Sequence, residues 1–405
     1  MNLGIAHTQS GGRPSNRPLA GIRIIDLSAN MSGPYATMVL ADQGADVVKI
    51  EPPEGDVLRR VGTGRHGLSA YFANLNRSKR SVVIDLGKAG ASDVVDRMLE
   101  GADVLVQNFR PGVAERLGLA PEAVMSRHPK LVYVSISGFG QTGELATMPA
   151  YDHVVQAFSG MAAVQAPKGG DPTLVRHGIV DKTTGLVAAE AILAAIIARD
   201  RAGVGSQVEI SMLDVALSLM WPDGMMNHTC LEHDIDRAPT IAGSFRLTQT
   251  SDGWLSLVTV TEQQWRGLLI ATGLQHWLDD PEFATSTARL RNGAVVMREV
   301  GATLLGMTTE NAVAALRENG VPCMPALMLD ELADRIEEVC PGMIERSIHP
   351  ILGEIQQSRP PVSFAGDHGR TTSSPGLGAH TDAVLAEVGW NPEEIAQLRA
   401  AEIVK

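Results

Sequence analysis

Two aspartates stand where a carboxylate can do acyl chemistry. Asp181 opens D-K-T-T-G (181–185), directly before a long Ala/Ile/Leu run that extends to about Arg201. An aspartate at the start of a helix is first of all an N-cap. The same position turns the positive end of the helix toward the carboxylate and favours its ionised form, and it presents backbone N–H groups that can hold an oxyanion. A carboxylate positioned in this way can attack an activated acyl group. Asp152, in A-Y-D-H-V-V-Q-A-F-S-G behind Tyr151, has the same cap-like placement, and spacing alone does not choose between the two.

A second constellation is cationic. Asn108-Phe109-Arg110-Pro111-Gly112 follows the apolar run D-V-L-V-Q, and Arg116 comes shortly after. In open α/β sheets, ligands bind beyond the carboxyl ends of the strands. Asn, Arg and Gly at such an end suit an anionic ligand, and they suit a solvated loop equally well. Lys79-Arg80 stands just before another strand-like run.

Three further patterns carry less. Gly138, Gly140 and Gly143 match G-x-G-x-x-G behind a strand, but E-L-A-T-M-P-A-Y-D follows, with Pro149 and no amphipathic helix to meet a pyrophosphate. His228, Cys230 and His233 cluster without a second group to complete a metal's four ligands, so they read as a polar connection and no metal is expected. Cys323 lies between prolines and apolar residues and reads as packing.

The elements that must carry these residues alternate. Apolar, β-branched runs at 22–27, 46–51, 81–86, 103–109, 131–137 and 207–212 read as strands, separated by helical patterns at 33–44, 90–101 and 181–201. Strands alternating with helices imply parallel pairing through crossovers. The expectation is a doubly wound, Rossmann-like α/β domain over 19–235. The pattern then breaks. Residues 245–260 form two alternating runs around Asp252-Gly253, a hairpin signal. A smaller α+β domain is expected over 236–345, and 346–405, with two terminal helices, is expected to return to the large domain.

Composition bounds the rest. The chain has 405 residues, 44% hydrophobic and 20% charged, the profile of a folded globular protein. Lys and Arg number 34 against 46 Asp and Glu, a net charge of −12 that argues against a nucleic-acid partner. Three cysteines without paired spacing exclude a disulfide scaffold and point to a reducing compartment. No apolar run is long enough to span a membrane, and the polar, Gly-rich stretch 1–18 reads as a flexible leader rather than a signal peptide. The expected location is the cytoplasm.

Taken in order, GIRIIDLSANMSGPYATMVLADQGADVVKIEPP, NRSKRSVVIDL, ADVLVQNFRPGVAERLGL, LVYVSISGFGQTG, AYDHVVQAFSGMA, HGIVDKTTGLVAAEAILAAIIARDRAGVGSQVEISMLD, VPCMPALMLDE and PGLGAHTDAVLAEVGW resemble the family III CoA-transferases. That family includes formyl-CoA transferase, carnitine CoA-transferases and α-methylacyl-CoA racemase. The resemblance runs from about Pro18 to the end of the chain. It implies an interlocked homodimer. It also implies an enzyme that moves CoA between carboxylic acids with no tightly bound cofactor, CoA itself entering as part of the substrate.

By resemblance, Asp181 is the nucleophile, working through an aspartyl–acyl anhydride and an aspartyl-CoA thioester. Asn108, Phe109, Arg110 and Arg116 fall on the family's CoA-contacting segment, and Lys79 and Arg80 are assigned the same role. Asn30 and Met31 fall where the transferases line the pantetheine and acyl end. Tyr151 stands where the racemases carry a catalytic histidine, which favours transfer over racemisation. A CoA-binding protein without turnover is the remaining alternative, and the presence of Asp181 counts against it. Between residues 230 and 244 the chain lacks the glycine run that formyl-CoA transferase carries over its site, which argues against oxalate and formate as its acids. Pro52 and Pro53 replace an arginine that some relatives carry near the adenine.

Overall fold

The structure, a computed structural model, describes residues 17–166, 169–236 and 240–405. Apart from Arg17 and Pro18, the expected leader lies outside the described residues. These residues divide into two compact units. The first holds the chain up to Gly160, Leu174–Ser218 and Gly342–Lys405; the second holds Met161–Thr173 and Leu219–Pro341.

The first unit is built on six strands: β1 (Arg23–Asp26), β2 (Asp46–Glu51), β3 (Lys79–Val83), β4 (Val104–Gln107), β5 (Val132–Ser137) and β6 (Gln207–Ser211). Every neighbouring pair is parallel, in the order β3-β2-β1-β4-β5-β6. This is the doubly wound arrangement, with its order reversing between β1 and β4. Valine, isoleucine and leucine fill the inner positions of the strands because helices cover both faces. Successive side chains serve opposite cores. Ile25, Val48, Val82 and Leu105 pack with Val94 and with Leu385 and Leu398 from the C-terminal helices. Ile24, Val47, Val104 and Val132 pack instead with Ala36 and Leu40 of α1 (Ser32–Asp42) and with Ala188 and Ile192 of the long apolar helix.

That helix runs from Ile179 to Ala202 and ends at Gly203 in the left-handed conformation that a side chain resists. It lies close against α1. A Cβ on its Gly185 would stand 2.7 Å from the Ser32 carbonyl oxygen and 3.0 Å from Tyr35. The absence of a side chain at Gly185 therefore seats the first turn of α1 on the first turns of this helix.

The second unit carries a three-stranded antiparallel sheet, with Trp254–Leu257 between Cys323–Pro325 and Thr248–Gln249. The Asp252-Gly253 turn closes through the Thr250 N–H to the Gly253 carbonyl at 2.9 Å. Leu255, Trp265, Trp277, Phe283 and Leu316 form its own core. The unit comprises Met161–Thr173 and Leu219–Pro341. Among the described residues, no helix is long and apolar enough to cross a membrane.

Candidate active site

Two further helices of the first unit frame the site: α2 (Ala70–Asn76) and α3 (Asp152–Phe158). The long helix Ile179–Ala202 is α4. Its cap is Gly178, which has no side chain to offer, and Asp181 is the third helical residue rather than the cap its spacing suggested. The exposed N–H of Asp181 is taken from outside the helix by Asp152 Oδ2 at 2.8 Å. Asp152 is buried, and its Oδ1 accepts from Gln156 Nε2 at 2.5 Å. Asp152 is likewise not a cap of its own helix, where Tyr151 holds that position. Its carboxylate serves as the cap of α4.

Ser32 lies at the Asp181 carboxyl group and favours its ionised form. Ser32 is there because Gly185 lets α1 approach so closely. Burial, then the charge of Asp152, push the Asp181 carboxyl up to about 6, against the pull of Ser32 and His153. The helix end does not hold this carboxyl in the ordinary range as the sequence suggested, because desolvation outweighs it. At pH 7 the ionised form still predominates. Burial and then the charges of Asp181 and Asp152 also raise the Tyr71 phenol.

A pocket of about 480 Å3 opens beside Asp181. Asn30, Met31, Leu58 and Tyr71 form one side, and Tyr151, Asp152 and His153 another. The segment 174–178, including Arg176 and His177, closes it. Met31 packs so closely on Gly178 that a Cβ there would stand 2.7 Å from its sulfur. Gln156 pins the same segment: its Oε1 accepts from the Val175 N–H at 2.9 Å, and its Nε2 donates to the Val175 carbonyl at 3.2 Å.

Asn30 adopts φ +63°, a left-handed conformation that asparagine tolerates better than most residues. Its loop is held from several directions. Asn108, one residue past β4, accepts from the Ala29 N–H at 2.9 Å and donates to the Ala29 carbonyl at 2.7 Å. The buried Lys49 donates to the Ser28 carbonyl at 2.7 Å. This clamp lies where the strand order reverses, the place where such sheets bind ligands.

The structure therefore gathers Asn30, Met31, Tyr151 and Asp181 around one pocket and ties Asn108 to it through Ala29. Phe109 packs against the core, and Arg110 and Arg116 lie exposed beyond β4, outside the lining of this pocket. Two expected contacts are corrected. Lys79 is 3% exposed, and all three of its protons are used, by Asp26 Oδ2 (3.1 Å), the Pro34 carbonyl (2.8 Å) and Asn76 Oδ1 (2.9 Å), which leaves none for a phosphate. Arg80 stands at the amino-terminal edge of the sheet, bidentate on Asp46 and paired with Glu387 at 2.7 Å, at the opposite end from the pocket.

Sequence reasoning missed Ser32, Tyr71, Gln156 and Arg176. Ser32, just before Pro34 at a helix start, carried a usable signal; the others carried none. The glycine fingerprint at 138–143 opens no helix, since the next one begins at Asp152. Among the described residues, no group of three or more His, Cys, Asp or Glu side chains is placed to hold a metal ion.

The model of CoA-transferase family III matches residues 19–381. The succinate–glutarate CoA-transferase of Agrobacterium fabrum is 31% identical, over 92% of this chain and 96% of its own. The formyl-CoA:oxalate CoA-transferase of Escherichia coli is 29% identical, over 94% and 98%. A crystal structure of Rv3272 from Mycobacterium tuberculosis superposes with a TM-score of 0.79 at 31% identity, over 91% of this chain and 99% of the other. The chain belongs to CoA-transferase family III, and it is an enzyme of CoA transfer.

Proposed function

We propose that this enzyme moves CoA from an acyl-CoA to an acceptor carboxylic acid, with Asp181 as the nucleophile. The supporting observation is the placement of Asp181, in the first turn of α4, capped by Asp152 and lining a pocket beside the switch point. An Asp181 oxygen attacks the thioester carbonyl, the C–S bond breaks, and CoA leaves as thiolate, leaving an aspartyl–acyl anhydride. The thiolate attacks the aspartyl carbonyl of that anhydride and releases the donor acid as a carboxylate. The acceptor carboxylate attacks the resulting aspartyl-CoA thioester and forms a second anhydride. The returning thiolate attacks the acceptor's carbonyl, giving the new acyl-CoA and free Asp181. Thioester and anhydride are both activated, so no step needs an external energy source, but water must be excluded from each.

Arg110 and Arg116, exposed beyond β4, are assigned to the phosphates of CoA, for which the guanidinium fork is suited. Asn30 and Met31 line the acyl and pantetheine end. The interlocked homodimer implied by resemblance belongs to the same proposal. A racemase would need an acid and a base flanking the α-carbon. By resemblance, Tyr151 stands where the racemases carry a catalytic histidine, which favours transfer.

The test is intact-protein mass spectrometry after incubation with a panel of acyl-CoAs and quenching with hydroxylamine or borohydride. The expected result is an adduct that maps to Asp181 and is absent from Asp181→Ala. No adduct, together with deuterium wash-in at the α-carbon of a 2-methylacyl-CoA, overturns the proposal in favour of racemisation.

A further inference from the structure

His349 is buried, 1% exposed, in the first unit, and the reaction above makes no use of it. It ends the strand Ile344–His349, which pairs antiparallel with Gly353–Ser358. Both of its ring nitrogens are committed. Nδ1 faces two backbone N–H groups, those of Ile351 at 3.0 Å and Leu352 at 3.2 Å, and can only accept from them. Nε2 stands 3.0 Å from the Ser374 carbonyl, which has no proton to give, so Nε2 is the donor; the Ser374 hydroxyl lies 3.1 Å away. The imidazole is therefore neutral, with its one proton on Nε2. A second proton has no place on the ring, because an Nδ1–H would point at two other N–H groups. Burial lowers the pKa of the ring, against the pull of the Ser374 carbonyl.

The turn that His349 folds backs the Asp181 pocket. Ile351 and Leu352 pack against a cluster of Met31, Leu58, Leu68, Phe72 and Leu75. Met31 and Leu58 line the pocket. The segment on the other side of the ring is tied to the same wall: Arg59, next to Leu58, donates to the Pro375 carbonyl at 3.1 Å and lies over the Phe72 ring at 3.8 Å. No charge nearby favours a protonated ring. Residues 371–378 include no charged side chain, and α2 offers only the Tyr71 phenol. Arg59 is neutralised by Glu51 at 2.6 Å, and Lys49 by Asp56 at 3.0 Å. The hairpin's own charges, Glu345, Arg346 and Glu354, make no bond to the ring, whose partners are Ser374, Ile351 and Leu352.

We propose that His349 is a positioning residue for the pocket, and that its protonation releases the Ile351–Leu352 turn and loosens the wall formed by Met31 and Leu58. The link to activity rests on the reading of the Asp181 pocket as the place of acyl transfer; the link between proton and turn does not. The neutral ring belongs to the folded turn, so this latch holds above about pH 6.5, the ordinary imidazole value, and weakens as the pH falls below it. Its direction is opposite to that of Asp181, whose burial disfavours the form present at high pH.

Hydrogen exchange of the full enzyme, read by mass spectrometry at about pH 7.5 and about pH 5.5, reports the latch directly. After correction for the intrinsic rate, protection of the Ile351 and Leu352 amides should fall about 10-fold or more on acidification. Equal protection at both overturns the proposal. Steady-state kinetics report the pocket. In wild type, KM for butyryl-CoA should rise about 3- to 10-fold over the same interval, beside the fall in kcat set by Asp181. His349→Asn offers a carboxamide oxygen in place of Nδ1 and does not titrate, so its KM should stay level while its kcat limb remains that of wild type. His349→Gln can reach Ser374 but cannot serve the turn, and should show the raised KM at every pH. A KM that rises equally in wild type and His349→Asn, or stays level in wild type, removes His349 from the positioning of the pocket. Should a variant fail to fold, the wild-type exchange and KM profiles still decide. A turn that opens with acid in an enzyme that forms no Asp181 adduct refutes the nucleophile and upholds the latch.

Discussion

The backbone N–H of Asp181 donates to the carboxylate of Asp152, 2.8 Å away and 29 residues earlier in the chain. One aspartate thus caps the helix on which the other is carried, and burial, with the charge of the cap after it, raises the pKa of its neighbour. If Asp181 must be ionised to attack, activity should fall as the pH drops through about 6. Asp152→Asn removes the charge, so the acid limb of kcat should move to lower pH. Asparagine has one oxygen for two donors, Asp181 N–H and Gln156 Nε2, so the plateau should also drop by roughly 10-fold. A pH–rate profile of wild type and variant checks both. An unmoved limb would separate Asp152 from the titration.

A raised carboxyl carries a stability cost. The folded state binds the Asp181 proton more tightly than the unfolded chain, with a folded value of about 6 against an ordinary carboxyl value of 3.8. The cost is therefore absent below about pH 4 and complete above about pH 6. Asp181→Asn should unfold at higher temperature than wild type at pH 7–8, with a gain of roughly 1–3 kcal/mol that fades on acidification. Thermal melts across that range test the sign, and activity should be lost at every pH.

Gly185→Ala probes the close approach of α1 and α4. The added methyl would stand 2.7 Å from the Ser32 carbonyl oxygen, so the helices must part. Overpacking of this kind costs about 1–3 kcal/mol. Because Ser32 moves with α1, kcat should fall as well, and the acid limb should move upward as Ser32 draws away from the Asp181 carboxyl. Retained kinetics with lowered stability would remove Ser32 from the mechanism.

Asn108 holds both backbone groups of Ala29. Asn108→Ala should free the loop that presents Asn30 and Met31. We expect a rise in KM for acyl-CoA larger than the change in kcat, and a stability loss of about 1–2 kcal/mol. Asn108→Asp keeps one of the two contacts and should fall between. Steady-state kinetics with one acyl-CoA varied is sufficient.

Lys79 and Arg110 should separate structure from binding. Removing the buried Lys79 leaves Asp26 without one of its cations, and Lys79→Met should cost about 3–5 kcal/mol or prevent folding. Arg110→Ala, at an exposed position, should leave the melting temperature within a degree or two and raise KM for acyl-CoA by about 3- to 10-fold, more at low salt. A stability loss at Arg110, or a KM effect without one at Lys79, would reverse the assignment.

The parts of this molecule that were legible in its sequence are those written in local pattern. The strand at 46–51 reads from D-V-V-K-I-E because its Val47, Val48 and Ile50 supply the cores on both faces, although its buried Lys49 and Glu51 carry no such local signal. The hairpin at Asp252-Gly253 follows from turn chemistry. Asp181 is recognisable because it opens an apolar helix. Its cap is not, because that carboxylate arrives from a different helix through the fold. Lys79-Arg80 looks like a pair of surface cations, but strand alternation sends Lys79 into the interior toward Asp26 and leaves Arg80 at the wrong end of the sheet. Gln156 and Arg176 have no local signature. Their meaning lies in a segment, 174–178, whose position depends on contacts made by residues distant in sequence.

The first core is assembled from both ends of the chain. Ile25, Val48 and Val82 share it with Leu385, Leu398 and Val404, and the whole of Leu219–Pro341 is threaded between. On the ribosome, the N-terminal strands emerge long before the residues that cover them. This face of the sheet is not covered until synthesis has passed Val404, whereas the core that holds the Asp181 helix is built from residues 19–215 and the Leu219–Pro341 segment carries its own sheet and core. Coverage of that face therefore comes late in synthesis, and until then it is the part of the nascent protein in need of a chaperone.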